Sequence, residues 1–136
     1  MMQKLNGVMI QEIEAVGVLL LVLEEQHGCI VVNDIFGMET CVGKIKEANK
    51  NIAHMEVQRR ELTQNRAMTE IIEELKDAEL ESNYYKIKRL LQEVVLQKDT
   101  NELLIKQGLN FTNRILNVLN PARETTTYNA YGKVKK

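Results

Sequence analysis

Proline is nearly missing from this chain of 136 residues: one occurs, at position 121. Proline locks φ and removes a backbone donor, so it is the main breaker of helices. A 120-residue stretch without it leaves long helices unobstructed. Tryptophan is absent, and the aromatic residues are four tyrosines and two phenylalanines, so a core here relies on aliphatic packing. Serine occurs once, at Ser82, and there is no Gly-x-Ser-x-Gly turn and no glycine-rich phosphate loop. That leaves no Ser/His/Asp set and no nucleotide cradle. Two cysteines, Cys29 and Cys41, are too few for a disulfide framework; a reducing compartment leaves them as small apolar fillers. Long hydrophobic runs are also lacking. The longest, Ala15 to Leu23, has nine residues between Glu14 and Glu24, whereas a membrane span needs about 20. Nor does the run have the basic start or cleavage site of a signal peptide. A cytoplasmic protein without membrane insertion is expected.

The net charge of −1 gives no reason to expect a nucleic acid as partner. Lys86, Lys88 and Arg89 stand beside Tyr84 and Tyr85, but Glu79, Glu81 and Glu93 flank them, as on a solvated helix face. Charge is distributed unevenly. From Pro121 onward Arg123, Lys133, Lys135 and Lys136 face only Glu124, a net +3 that leaves −4 on the rest.

What is present is helical periodicity. Met9, Ile13, Val16, Leu20, Leu23, His27 and Ile30 are spaced alternately four and three residues apart, which holds one face of a helix against a partner. A helix over about 4–32 is predicted, interrupted at Asn33-Asp34, two turn formers able to cap the next helix. The second stripe runs through Met38, Cys41, Ile45, Ala48, Ile52, Met55, Arg59 and Leu62. So short a break between two long helices predicts an antiparallel hairpin. A short helix comes next over 68–78, with Ile71, Ile72 and Leu75 apolar, and a third long stripe extends from about Leu80 to Leu119. The middle of that stripe, Lys98, Asn101, Gly108 and Thr112, is polar or small, which admits two readings. Either one polar site sets the register of a seam, or the helix leaves the seam there and offers a wider face elsewhere; the second is slightly favoured. Gly17, Gly37, Gly43 and Gly108 fall inside these helices, each costing about 1 kcal/mol against alanine, and predict a bundle of modest stability.

The expected fold is therefore all-α: a long antiparallel hairpin, a short helix and a long C-terminal helix in an elongated bundle. The bundle occupies 1–120 and a disordered tail 121–136. Metal chemistry is not expected. Glu24 and His27 have the Glu-x-x-His spacing of di-iron bundles, but His54 has Lys50, Asn51 and Met55 around it instead of a matching glutamate. His27 and Cys29, two apart on a helix, point about 200° apart and do not chelate together. No cofactor and no catalytic residue are assigned, and function is expected in the apolar helical faces.

The layout resembles a known family. Two long helices broken at LEEQHGCIVVNDIFGMET, a short MTEIIEEL helix, and a last helix ending NELLIKQGLNFTNRILNVLNP before a TYNAYG tail are similar to the FlgN type of flagellar type III export chaperone. Gly28, Gly37 and Gly43 depart from the family's look, a departure that bears on the rigidity of the hairpin tip. The resemblance implies a chaperone for hook–filament junction proteins that binds their C-terminal segment, blocks early polymerisation, and delivers them to the export gate or its ATPase complex. It needs no nucleotide of its own, and a homodimer is allowed.

On that reading Leu104, Ile105, Leu109, Thr112, Ile115, Leu116 and Leu119 wall a groove for the client segment. Asn101 and Gln107 hydrogen-bond the client or a neighbouring helix. The same residues would equally serve as core. Pro121 stops the last helix. In the tail, Tyr128 is the candidate gate contact and Tyr131 the second. A structural coiled-coil or adaptor protein that self-associates through the same stripes is the alternative.

Overall fold

The structure is a computed structural model and describes residues 2–120, together with the residue pairs 127–128 and 134–135. Helix α1 (Met2–Val31) and helix α2 (Ile35–Thr63) are joined by a turn of three residues. Asn33 takes the left-handed conformation, φ 58°, and Asp34 caps α2 by accepting a hydrogen bond from the Gly37 amide at 3.0 Å. An asparagine tolerates positive φ and an aspartate satisfies a free helix amide, so the Asn33-Asp34 pair both turns and restarts the chain. Pairings between the two helices fix their direction. Glu12 meets Arg59 and Glu25 meets Lys44, so one helix descends as the other rises: an antiparallel hairpin.

Helix α2 ends on Gln64 and Asn65, both left-handed, and the short helix α3 (Met68–Leu75) ends on Lys76 in the same conformation. The short helix thus stops three residues before the expected end at Ala78, which instead opens helix α4 (Ala78–Leu119). Asp77 caps that start, accepting from the Glu79 amide at 3.3 Å. Helix α4 runs parallel to α1, with Asn83 beside Asn6 and Asn101 beside Leu23.

The chain divides into two units, Met1–Asn101 and Glu102–Lys136. In the first, α1 turns Leu5, Met9, Glu12, Val16, Leu19 and Leu23 inward, a spacing of four, three, four, three, four. One apolar cluster joins Leu5 and Met9 to Met68, Ile71, Leu80 and Ile87; a second joins Val16, Leu19 and Leu23 to Ala48 and Val94. By length and composition α1 passes as a membrane span; 33% of its most apolar window is buried, and Leu5, Met9, Val16, Leu19 and Leu23 pack into the helical core. In the second unit, α4 continues to Leu119, and Thr127–Tyr128 (β1) pairs antiparallel with Val134–Lys135 (β2). The rest of the expected disordered tail, with Tyr131, lies outside the described residues.

Candidate functional site

The apolar second half of α4 is built by spacing alone. Ile105, Leu109, Thr112, Leu116 and Leu119 fall alternately four and three residues apart and so share one face of the helix; Leu104 and Ile115 adjoin it. Beyond Asn101, no residue of α4 is buried. Leu109 is 52% exposed and Leu119 75%, with Ile105, Ile115 and Leu116 also open to solvent and Leu104 half-buried. Phe111 and Val118 are exposed as well, on the side of the helix that carries Gln107. Thr112 turns its hydroxyl onto its own helix, donating to the Gly108 carbonyl at 3.0 Å. Gln107 is exposed and lies nearly opposite the stripe.

Asn101 has a different environment from the rest of the expected set. It is 1% exposed, and its Nδ2 donates to the Leu23 carbonyl at 2.8 Å and to Gln26 Oε1 at 3.0 Å. Its Oδ1 accepts from Gln97 Nε2 at 3.0 Å, and the same Gln97 nitrogen lies 3.1 Å from His27 Nδ1. Both polar groups of the amide are thereby satisfied inside the first unit, where an unmatched one would cost about 1–3 kcal/mol. A second polar pin sits towards the other end of α1: Asn6 donates to Asp77 Oδ2 at 2.9 Å and accepts from Asn83 Nδ2 at 3.2 Å.

Between the two apolar clusters lies an ion pair that sequence reasoning left unmatched. Glu12 Oε2 stands 3.3 Å from Arg59 Nε, without a well-aligned hydrogen bond, and Arg59 also reaches Glu56 at 3.2 Å. Burial pushes the Glu12 carboxyl above its ordinary value, and the Arg59 charge only partly offsets this. The signal was an arginine within an apolar stripe, which requires a carboxylate nearby.

The hairpin tip is a further apolar surface, with Val31, Val32, Ile35 and Phe36 all exposed. Among the described residues, no three His, Cys, Asp or Glu side chains come together as a metal site. His54 pairs with Gln58 at 3.1 Å. A groove of about 450 Å³ between α1 and α2 is lined by Lys4, Gly7, Val8, Gln11, Gln58, Glu61 and Leu62.

Buried polar pins, a modest core and exposed apolar helix faces define an all-α helical bundle. The model of the FlgN protein family matches residues 1–136, the whole chain, and the chain belongs to that family. No curated protein and no solved structure matches it. Membership makes it a soluble flagellar export chaperone, of a family that binds flagellar proteins and is not one of enzymes.

Proposed function

We propose that this chain is a cytoplasmic chaperone that holds the C-terminal segment of hook–filament junction proteins along the second half of α4. The observation that carries this reading is the stripe Ile105, Leu109, Leu116 and Leu119, apolar at helical spacing and open to solvent. Soluble proteins rarely leave so much contiguous apolar surface without a partner. An amphipathic client helix supplies one: its own apolar anchors fall at the same period, so it lies along the stripe and is kept from polymerising. Leu104, Ile115 and Thr112 border the seat. Residues 1–120 act as the holding body, and residues 121–136 deliver the client to the export gate or its ATPase complex, with Tyr128 and then Tyr131 as contacts. No cofactor takes part in holding, which needs only burial of apolar surface.

The test is Leu109→Ser with Leu116→Ser, titrated with a junction protein's C-terminal segment. Both leucines are exposed, so helical content and unfolding midpoint stay at the parent value. Each lost contact removes roughly 1–1.5 kcal/mol of apolar burial, so affinity falls by roughly 100-fold together. Unfolding of the double variant means these side chains are core, and the reading fails. The same spacing also suits a second copy of the chain. A homodimer that the double variant dissociates, with no binding of the junction segment by the parent, favours the self-associating adaptor instead.

A further inference from the structure

The two cysteines are far apart in sequence terms but not in the hairpin. Glu25 of α1 pairs with Lys44 of α2 at 3.0 Å, and moving up one turn on each helix brings Cys29 level with Cys41. Gly37 lies one turn before Cys41 on the same face of α2, and a Cβ on it would come within 2.6 Å of Cys29 Sγ. The Cys29 sulfur therefore rests on the bare backbone of α2, one turn from Cys41 on the same face. Cys41 is wholly buried, whereas Cys29 is half-buried and open to a reagent from solvent. Its other neighbour is Asp34, whose Oδ2 accepts from the Cys29 thiol at 4.0 Å.

We propose that Cys29 and Cys41 form an oxidation-sensitive pair that closes to a disulfide stapling α1 to α2 just below the hairpin tip. The oxidant is a small-molecule disulfide such as glutathione disulfide. The Cys29 thiolate attacks one of its sulfurs, forming a mixed disulfide and releasing one glutathione thiolate, which takes the Cys29 proton. The Cys41 thiolate then attacks the Cys29 sulfur, forming the internal bond and releasing the second glutathione, which takes the Cys41 proton. Two protein thiols are oxidised and one glutathione disulfide is reduced to two thiols. Exposure decides the order, since only Cys29 is accessible to the reagent. Burial, then the neighbouring Glu25 carboxylate and Cys29, raises the Cys41 thiol above its ordinary value, with Lys44 opposing. The closing step therefore accelerates from neutral to alkaline pH.

The bond would close a short loop holding the turn and the start of α2. Cross-linking a loop of this size limits the unfolded chain, and the thermal midpoint rises by roughly 5 °C or more. The proposal concerns the hairpin alone and does not depend on how α4 holds a client.

The test incubates the full native chain with glutathione disulfide and follows intact mass, free thiols and oligomeric state. The expected product is a monomer two hydrogens lighter, with no free thiol and a raised midpoint that falls back on reduction. Cys41→Ser should stop at a stable mixed disulfide on Cys29, and Cys29→Ser should keep its thiol unreacted while folded. Circular dichroism of both variants checks that each still folds. Closure that needs denaturant, a lowered midpoint, a cross-link between chains, or a parent that stops at the mixed disulfide overturns the proposal.

Discussion

At Arg59 the side chain's value lies in what it leaves behind when removed. Arg59→Met keeps the aliphatic bulk but strands the Glu12 carboxylate between two apolar clusters, which costs about 3 kcal/mol at neutral pH. Glu12 already has a folded-state pKa above its ordinary 4.5, burial being the larger cause. A group shifted upward contributes stability that is present below its unfolded pKa and lost as pH rises through its folded pKa. The deficit of the methionine variant should therefore shrink as pH falls through the raised value towards 4.5, in urea melts of both proteins side by side. A deficit that is the same at every pH would mean Arg59 acts by packing alone. Glycines divide in the same residue-level way. A Cβ at Gly37 would collide with the Asp34 carboxylate and Cys29 Sγ, so Gly37→Ala should cost about 1–3 kcal/mol. Gly43 has nothing within 4 Å of its added Cβ, and Gly43→Ala should gain about 1 kcal/mol in the same urea melts. On those outcomes the ordinary cost of a helical glycine would apply at Gly43, whereas at Gly37 close packing against Asp34 and Cys29 would outweigh it.

Among the elements, α4 is one helix with two kinds of surroundings, and Asn101 marks the change. Asn101→Ala leaves the Gln26, Gln97 and Leu23 groups without their partner and should lower stability by about 2 kcal/mol. Gln107→Ala, at an exposed position, should stay within about 0.5 kcal/mol of the parent in the same denaturant titration. Equal losses at the two sites would remove the distinction. The helices themselves were legible because the three-and-four spacing and the missing proline are local signals; α1 and α2 begin and end within a few residues of expectation. The Asn33-Asp34 break was readable for the same reason, through its turn and capping chemistry. What the spacing does not encode is which stripe faces which. The pairing of Glu12 with Arg59 depends on the antiparallel placement of α2 against α1, and that of Asn6 with Asn83 and Asp77 on the parallel placement of α4 beside α1. Nor does period separate a buried face from an exposed one. Leu19 and Leu109 stand in similar stripes, yet one is core and the other lies open to solvent.

On the scale of the whole molecule, holding and delivery are assigned to different stretches of chain, and that division is open to a direct experiment. The core residues and polar pins all lie within Met1–Asn101, and the exposed stripe ends at Leu119. Nothing after Pro121 has the apolar period needed to join either. The last stretch differs in charge as well, net +3 against −4 before it, and holds two of the four tyrosines. Deleting residues 121–136 should therefore leave the unfolding midpoint and the affinity for a junction protein's C-terminal segment at parent values, while export of that protein in cells stops. Tyr128→Ala and Tyr131→Ala narrow the question. Loss of export in either at full client affinity assigns the contact to an aromatic side chain, and retention in both with loss in the deletion assigns it to the lysines. Export that continues without the whole segment removes the delivery role and leaves the holding role intact. Weakened client binding on deletion would instead mean that the two roles share one surface, because a body whose affinity resides in the Ile105–Leu119 stripe has no reason to lose it with the tail.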